Sequence, residues 1–424
     1  MKPTPLIFLI VAAAIASLLG CADSAHAPAS NLAQAIAAEL PQSEDYAPLD
    51  SMLDRAVADS QVPGGIALVV KEGEVVHFRA FGYADPLEQN RMPEDAIFRI
   101  CSQTKALTSS AAMILWERGL LGLDDPVSKY IPAMGSMGVI EEFFTDSTCS
   151  TRPATSTMTV RHLMTHQAGL SYGEIGDPRF KMLYEKQGVK DLFSNDPLTA
   201  EENCNRLSTT ALIHDPGAQW NYSLGLDVLV RVIEVASGEP FDDFLRREVL
   251  EPLGMNDTYF YLPDSLEDRL VPVWEPDSLS TWALHTHPLY RTDYPVAGAK
   301  TYLSGGAGLC STPLDYAKFL QMYLNLGEFN SQRILRESTI DTIMANQEVQ
   351  LRESTWHQGL AFGVQKADEE NPEARGAFFW GGYFNTTYTA DPETGTIGIL
   401  MKQTFGANEP TTQQFNDFVF ATSD

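Results

Sequence analysis

The tetrapeptide Ser102-Gln103-Thr104-Lys105 stands at the head of an apolar segment that continues to Trp116. The composition of this segment predicts a helix, and Gly119 is its first stop signal. Residues three apart share a helix face, so Ser102 and Lys105 are expected to point the same way. The S-x-x-K spacing therefore places a hydroxyl and an amine together at a helix N-terminus.

Such a pair is typical of a nucleophilic serine and its base. A serine hydroxyl attacks a carbonyl only when a base takes its proton, and a lysine can be that base when burial or nearby positive charge lowers its pKa. The helix N-terminus adds a positive field and backbone N–H groups that stabilise an oxyanion. The other interpretation is a capping serine followed by a solvated lysine.

A second serine lies in Gly169-Leu170-Ser171-Tyr172-Gly173, which matches the G-x-S-x-G pattern of a nucleophile elbow. An elbow needs a strand before the serine and a helix after it. Here a helical pattern precedes Ser171 and an irregular segment follows, which favours a chance match. No other S-x-x-K occurs in the chain, so Ser102 is the candidate nucleophile.

Several ordered motifs follow the S-x-x-K. They are Thr159–Leu170 (TVRHLMTHQAGL), Pro216–Gly225 (PGAQWNYSLG), Glu251–Met255 (EPLGM), Gly305–Thr312 (GGAGLCST), Phe378–Tyr383 (FFWGGY) and the β-run Thr396–Met401. With these motifs, the chain from about Leu49 to its C-terminus resembles the serine β-lactamase and penicillin-binding-protein superfamily. Within it, the chain looks most like the class C-like branch called family VIII carboxylesterases.

The resemblance implies an α/β (α+β) fold of the β-lactamase/transpeptidase type, with an antiparallel sheet flanked by helices, a mostly helical lobe and an active site between them. The sequence pattern agrees, because strand-like segments at both ends enclose a long middle of helical patterns. We therefore expect a catalytic domain over 45–424, with an α/β lobe at about 45–100 and 346–424 and a helical lobe at about 101–345.

Local patterns predict several elements of this domain. They indicate an amphipathic helix around Leu49–Val57, a strand pair at Gly64–Val70 and Glu74–Phe81, and a closing helix that bears Phe415, Phe418 and Val419. Residues 134–158 and 171–208 lack clear periodicity and are expected to form long loops that wall or cover a site.

The resemblance also implies roles at the site. Tyr222 matches the family's catalytic tyrosine, whose phenol hydrogen-bonds the nucleophile and relays protons. Lys105 and Tyr222 would together move the protons, and the backbone N–H groups of Ser102 and Tyr383 would form the oxyanion hole. No metal or organic cofactor is implied.

Two motifs depart from the β-lactamase pattern and bear on the substrate. The Y-x-N motif has Leu224 in place of asparagine, and the K-T-G motif is replaced by Trp380-Gly381-Gly382. In the family, the usual lysine and asparagine hold a substrate's carboxylate and acylamino group, and an apolar side chain offers neither contact. These four residues are therefore expected to line a pocket for an uncharged ester, as in family VIII esterases.

The sequence thus predicts a serine hydrolase that cleaves small, short-chain carboxylic esters through an acyl-enzyme on Ser102. Two alternatives stay open: a β-lactamase or D-alanyl peptidase that acts on cell-wall-like substrates, and a binding or sensor protein that is acylated without turnover. The presence of Ser102, Lys105 and Tyr222 together favours an enzyme over a sensor.

Three histidines receive structural rather than catalytic interpretations. His166 is expected at a structural helix end with Gly169 as the C-cap residue. His285 and His287 have no accompanying carboxylate or cysteine pattern, so two solvated loop histidines are favoured over a metal site.

Composition limits the class of partner. At 424 residues with 44% hydrophobic content, the chain can bury a large core. Its formal net charge of −27 is spread along the chain rather than gathered in a tail. Such a field repels nucleic acid and anionic membrane surfaces, so neither is an expected partner. The motifs carry no information on the oligomeric state.

Residues 1–20 have the form of a secretory signal, because Lys2 is followed by an apolar run from Leu6 to Leu19 that is short for a membrane span. The run leads into Gly20-Cys21, which resembles a bacterial lipobox and makes Cys21 the predicted lipidation site. Residues 21–44 would then form a spacer, and a lipid anchor would hold the exported protein on a membrane facing the periplasm or cell exterior. The alternative is plain secretion with cleavage near Ala25-His26-Ala27.

Export would expose the other four cysteines to oxidising conditions. Cys101 and Cys310 lie in apolar surroundings and are expected to be buried as small hydrophobic side chains. Cys149 and Cys204 lie in irregular polar segments and are the candidate disulfide pair, although their spacing does not establish that they are close.

Overall fold

The computed structural model describes residues 31–34, 44–144, 148–277, 281–349, 351, 354–366 and 375–421. The predicted signal segment, Cys21 and most of the spacer lie outside the described residues. Within the described ranges, no helix is both long enough and apolar enough to cross a membrane.

The main sheet has eight antiparallel strands and is built from both ends of the described chain. The strands of this sheet and of four smaller two-stranded sheets among the described residues are, in chain order, β1 (Gly64–Lys71), β2 (Glu74–Asp85), β3 (Asn90–Arg91), β4 (Phe98–Arg99), β5 (Gly138–Phe143), β6 (Cys149–Pro153), β7 (Trp274–Pro276), β8 (Trp282–Leu284), β9 (Cys310–Ser311), β10 (Glu328–Phe329), β11 (Gln332–Arg333), β12 (Trp356–Gln358), β13 (Gly363–Gln365), β14 (Phe378–Gly382), β15 (Thr386–Asp391) and β16 (Thr396–Met401). The order across the main sheet is β12-β13-β14-β15-β16-β1-β2-β3. Because β1 pairs with β16, the N-terminal and C-terminal strands share one sheet.

Most helices lie between β4 and β12 in sequence. In chain order the helices are α1 (Asn31–Gln34), α2 (Ala47–Ala58), α3 (Thr104–Glu117), α4 (Val160–Met164), α5 (Pro178–Gln187), α6 (Ala200–Leu207), α7 (Gly225–Ser237), α8 (Phe241–Leu245), α9 (Glu251–Leu253), α10 (Pro313–Leu324), α11 (Glu337–Met344) and α12 (Thr411–Val419). A π-helical turn, Arg246–Leu250, joins α8 to α9 in one helical segment. The division into two lobes at the stated boundaries stays a prediction.

Both faces of the main sheet are covered, and different helices cover them. Strand β16 is buried at all six positions and β1 at seven of eight, so both strands are apolar throughout rather than alternating. Val69 packs with Leu53 of α2 and Phe415 of α12 in a small cluster. The neighbouring Leu68 points to the opposite face and joins the large core that also contains Tyr316 of α10.

The elements with clear local periodicity are confirmed. The predicted helix around Leu49–Val57 is α2, the predicted strand pair is β1 and β2, and the closing helix is α12. Their residue patterns match the structure because each element has one apolar face against the sheet or lies within it.

Two segments expected to be loops contain regular structure instead. Residues 134–158 include the hairpin of β5 and β6, and residues 171–208 include α5 and α6. Asp177 is the N-cap residue of α5, and Thr199 with Glu202 forms a capping box at the start of α6. These short helices are marked by caps rather than by long apolar periodicity, which explains why the pattern missed them.

Candidate active site

Lys105 is buried directly beside Ser102 at the start of α3. A single 3-10 turn, Cys101–Gln103, leads into this helix, and Ser102 is half-buried on the turn. Lys105 is 1% exposed, and its Nζ donates to the Gly306 carbonyl at 2.8 Å and to Ser102 Oγ at 3.2 Å. The amine is therefore removed from water while the hydroxyl keeps some access to it.

Tyr222 supplies a third group at the same hydroxyl. It lies three residues before α7, and its phenol donates to Ser102 Oγ at 2.8 Å. Lys105 Nζ is 4.7 Å from the centroid of the Tyr222 ring. Ser102 Oγ thus accepts from two groups, and either group, once deprotonated, can take the serine proton. The structure brings together the three residues that the sequence predicted as catalytic.

Cys101, directly before Ser102, has an unusual backbone conformation. Its φ is +45°, a left-handed value that is unfavourable for a residue with a side chain and is found most often at functional sites. The Phe384 N–H hydrogen-bonds to the Cys101 thiol, and burial raises the pKa of that thiol to about 12. The thiol therefore stays protonated and unreactive, and it ties the nucleophile's turn to the chain that follows β14.

The end of β14 lies against this turn. β13 pairs with β14 at Phe378 and Phe379, whereas β15 pairs along the whole strand, so no described strand covers the second edge of Trp380–Gly382. A Cβ placed on Gly382 would lie 2.6 Å from the Ile100 carbonyl oxygen, closer than van der Waals contact allows. Only glycine fits there. Tyr383, the predicted oxyanion-hole donor, is the next residue along the chain.

Aromatic rings line the site beside Tyr222. The Trp380 ring centroid is 6.0 Å from that of Tyr222, and Trp356 is 6.2 Å from Trp380. Trp220 lies 6.1 Å from Tyr222, and its Nε1 donates to Gln358 Oε1 at 3.2 Å. All three tryptophans are half-buried. Of these three tryptophans, the sequence motifs predict only Trp380 as a site residue, although the position of Trp220 two residues before Tyr222 is a signal for it.

A protein-family model described as Beta-lactamase matches residues 49–416. The chain belongs to the beta-lactamase family. This match covers the S-x-x-K turn, Tyr222 and β14, so the whole site described above lies within the family region.

Relatives in the beta-lactamase family span nearly the whole chain. Esterase EstB of Burkholderia gladioli is 30% identical over 391 residues, which cover 88% of this chain and 94% of that protein. Monacolin J acid methylbutanoyltransferase of Aspergillus terreus is 26% identical over 411 residues, which cover 88% of this chain and 95% of that protein.

A solved structure gives the same result for the fold. The structure of EstCE1, described as a hydrolase with promiscuous acyltransferase activity, superposes with a TM-score of 0.76 at 25% sequence identity. The superposition covers 89% of this chain and 99% of that chain. The predicted superfamily, its esterase-like branch and the α/β fold with an antiparallel sheet are confirmed.

The prediction that Leu224 lines the substrate pocket is wrong. Leu224 is 1% exposed and belongs to the large core, because the residue immediately before α7 turns its apolar side chain inward. It therefore offers a substrate neither an amide nor an open wall. Trp380, Gly381 and Gly382 are half-buried and remain at the surface of the site, where the beta-lactamase pattern has K-T-G.

His166 packs against Tyr222. Its ring centroid is 4.5 Å from that of Tyr222, and the side chain is fully buried. Burial and, to a lesser extent, the charge of Lys105 hold the pKa of His166 well below its usual range, so the ring is neutral. The helix before it, α4, ends at Met164, so Gly169 lies beyond the cap and is not the C-cap residue that the sequence predicted.

The prediction of two solvated histidines after β8 is also wrong. His285 is 4% exposed, with its Nδ1 at 2.5 Å from Glu275 Oε2 and its Nε2 at 3.0 Å from the Tyr290 hydroxyl. His287 stacks on Tyr290 at a centroid distance of 4.2 Å, and Tyr290 in turn hydrogen-bonds to the phenol of Tyr383. Tertiary packing against the end of β14 buries His285 and makes it a support for Tyr383.

Ser171 is not placed as a nucleophile. Its side chain is fully buried in the segment between α4 and α5, and its Oγ donates to the Tyr172 carbonyl at 3.0 Å. No strand precedes Ser171 and no helix starts directly after it in this described segment. The G-x-S-x-G match is therefore a chance match, as the sequence indicated.

The candidate disulfide between Cys149 and Cys204 is not formed, and both residues are free thiols. Cys204 is 3% exposed on α6 and packs into the large core, whereas Cys149 is half-buried at the start of β6. Neither lies in the irregular segment that suggested the pairing. Cys101 and Cys310 are fully buried, as predicted.

Proposed function

We propose that this protein hydrolyses short-chain carboxylic esters through an acyl-enzyme on Ser102. The observation that carries the proposal is the convergence of Lys105 Nζ and the Tyr222 hydroxyl on Ser102 Oγ, at 3.2 Å and 2.8 Å. The family match and the relative called an esterase support a serine ester hydrolase. A buried amine, a phenol and a hydroxyl in contact have a direct use in acyl transfer.

The proposed reaction has two halves. In the first, one member of the pair of Lys105 and Tyr222 starts deprotonated and takes the Ser102 proton, Oγ attacks the ester carbonyl, and the backbone N–H groups of Ser102 and Tyr383 hold the oxyanion. Collapse of this intermediate breaks the bond to the alkoxide, which takes the stored proton and leaves as the alcohol. In the second half, water gives a proton to the same pair and attacks the acyl-enzyme. The pair then returns this proton to the departing Ser102 Oγ as the carboxylic acid is released.

Ester selectivity follows from what the site lacks. A β-lactam carries a carboxylate and an acylamino group, and Trp380 and the buried Leu224 supply neither the positive charge nor the side-chain amide that the β-lactamase motifs have at these positions. Leaving each of those two groups unpaired costs about 1–3 kcal/mol, which lowers kcat/KM by roughly two to four decades. A short-chain p-nitrophenyl ester has neither group.

We expect kcat/KM for p-nitrophenyl butyrate to exceed that for nitrocefin by at least about a hundredfold, on that energy scale. Steady-state kinetics with both substrates on one enzyme preparation measures this ratio. Equal efficiencies would favour the β-lactamase or D-alanyl peptidase alternative. A burst of one equivalent of nitrophenol without further turnover would favour the acylated sensor.

We also propose export and lipid anchoring at Cys21, with residues 1–20 as the signal. The support is the basic residue, the apolar run and the lipobox-like ending. A lipid chain would tether the catalytic domain to a membrane leaflet while the net charge of −27 keeps the domain itself away from anionic lipid.

A further inference from the structure

Asp227 is a buried carboxylate that the proposed reaction does not use. It lies in the first turn of α7, five residues after Tyr222, and is 4% exposed. Its Oδ1 accepts hydrogen bonds from Ser304 Oγ at 2.6 Å and from the Gly306 N–H at 3.3 Å. Its Oδ2 has no hydrogen-bond partner among the described residues. A buried charge with so few partners is unfavourable for folding, which points to a use in function.

Gly306 connects this carboxylate to the catalytic lysine. The N–H of Gly306 faces Asp227, and its carbonyl oxygen accepts from Lys105 Nζ at 2.8 Å. A Cβ on Gly306 would lie 2.6 Å from Asp227 Oδ2 and 2.9 Å from the Tyr172 hydroxyl, so two polar groups close over this residue and leave no space for a side chain. The orientation of the carbonyl that holds Lys105 is therefore coupled to Asp227.

We propose that Asp227 is a positioning residue for the base: it holds Gly306 so that the Gly306 carbonyl directs Lys105 Nζ at Ser102 Oγ, and its negative charge stabilises the positive charge that Lys105 gains when it takes the Ser102 proton. The inference rests on the proposed role of Ser102 as nucleophile. It adds a second connection between α7 and α3. The first is the hydrogen bond to Ser102 from Tyr222, three residues before α7, and the second runs from Asp227 on α7 through Gly306 to Lys105. Charges act strongly on each other in such a water-poor interior.

The state of Asp227 depends on the surrounding charges. Burial raises the pKa of Asp227 to about 6, and the charge of Lys105 opposes this rise. The group is therefore a carboxylate at neutral pH and gains a proton as the pH falls through about 6. The titratable groups that face Asp227 are Lys105 on α3, Tyr172 and Asp191 between α4 and α6, Cys204 on α6, and Tyr302 in the segment before β9.

The test compares Asp227→Asn with Asp315→Asn in the full-length protein. Both aspartates are 4% exposed. Asp315 lies on α10 and accepts from the Asp257 N–H, the Thr258 hydroxyl and Lys318 Nζ, none of which belongs to the proposed catalytic groups. Three readouts are followed: kcat and KM for p-nitrophenyl butyrate, the melting temperature, and the rate at which a fluorophosphonate labels Ser102 between pH 5 and pH 9.

In Asp227→Asn, we expect kcat and the labelling rate at pH 7.5 to fall by about tenfold, the scale of one hydrogen bond to a charged group. KM should stay within about twofold, since Asp227 touches no substrate. The labelling rate falls on the acid side of its pH profile, and the midpoint of this fall (the acid limb) should move to lower pH by at least about half a unit. The reason is that loss of a negative charge lowers the pKa of the base and favours its deprotonated form. Asp315→Asn should lower the melting temperature without moving this limb.

An unchanged kcat and pH profile in a folded Asp227→Asn variant would overturn the inference. If that variant does not fold, Ser304→Ala replaces it, since it removes one donor to Asp227 and leaves the charge in place. A fall in kcat of about threefold or more at constant KM, the lower end of the range for one hydrogen bond, would then support the inference, and an unchanged kcat would overturn it. Wild-type protein that is not labelled at Ser102 would overturn the proposed function, and this inference with it.

Discussion

At the scale of single residues, two donors converge on one acceptor. Lys105 Nζ and the Tyr222 hydroxyl both donate to Ser102 Oγ, and the neutral ring of His166 packs against Tyr222. Burial keeps competing water from the amine, since Lys105 is 1% exposed. The proton transfers of the proposed reaction therefore involve three side chains that are already in contact in the free protein.

Lys105→Ala and Tyr222→Phe should each lower kcat by roughly a hundredfold or more, the usual scale for loss of a proton-transfer group. KM should change little, because neither group is proposed to hold the apolar part of the ester. Tyr323→Phe is the control, since Tyr323 is also a tyrosine packed near α3 but its hydroxyl bonds Ser110 at 2.7 Å instead of Ser102.

Fluorophosphonate labelling followed by intact-mass measurement gives the companion result. Wild-type protein should gain one adduct that Ser102→Ala lacks. An adduct that persists in Ser102→Ala would show that Ser102 is not the nucleophile. Near-normal turnover by Lys105→Ala would show that Lys105 is not the base.

At the scale of elements, the last residues of β14 and the turn before α3 form one unit. The Phe384 N–H bonds the Cys101 thiol, and Gly382 lies against the Ile100 carbonyl. A chain of hydrogen bonds from Glu275 through His285 and Tyr290 reaches the phenol of Tyr383 from the other side. The backbone donors proposed for the oxyanion hole are thus held by contacts between three separate segments.

Gly382→Ala should separate β14 from this turn, because the new Cβ would lie 2.6 Å from the Ile100 carbonyl oxygen. We expect kcat to fall by about a hundredfold, the scale of losing one oxyanion-hole donor. Gly381→Ala is the control, since a Cβ there meets nothing closer than 3.5 Å. Stopped-flow acylation by p-nitrophenyl butyrate measures both variants, and equal acylation rates for the two would contradict this account of β14.

At the scale of the whole molecule, the N- and C-terminal strands close one sheet, and the helices between β4 and β12 are inserted between them. The sheet therefore exists only when both ends of the domain are present. The anchor proposed at Cys21 precedes this domain, outside the described residues, so lipidation and catalysis can be tested separately.

Metabolic labelling with an alkyne fatty acid should mark the wild-type protein and not Cys21→Ala. The wild type should sediment with membranes, whereas the Cys21→Ala product should be soluble and keep esterase activity, because Cys21 lies outside the family region at 49–416. An unlabelled, soluble wild-type product would instead indicate cleavage near Ala25-His26-Ala27.

The sequence by itself determined the features that depend on near neighbours in the chain. Ser102 and Lys105 are three residues apart, so helix geometry alone brings them together. The strand pair at β1 and β2 and the amphipathic α2 follow from local periodicity in the same way. The order of the motifs was enough to identify the family, and the roles of Tyr222 and Tyr383 that the family implies stay predictions.

Only the tertiary structure decided which way the remaining side chains face. Tyr222 reaches Ser102 across 120 positions and Gly306 reaches Lys105 across 201, and local periodicity carries no information on contacts at such separations. Leu224 and His285 were assigned to a pocket wall and to solvent, but packing against other segments buries both. Burial depends on which distant segments cover a residue, and those contacts exist only after the sheet and its helices have assembled.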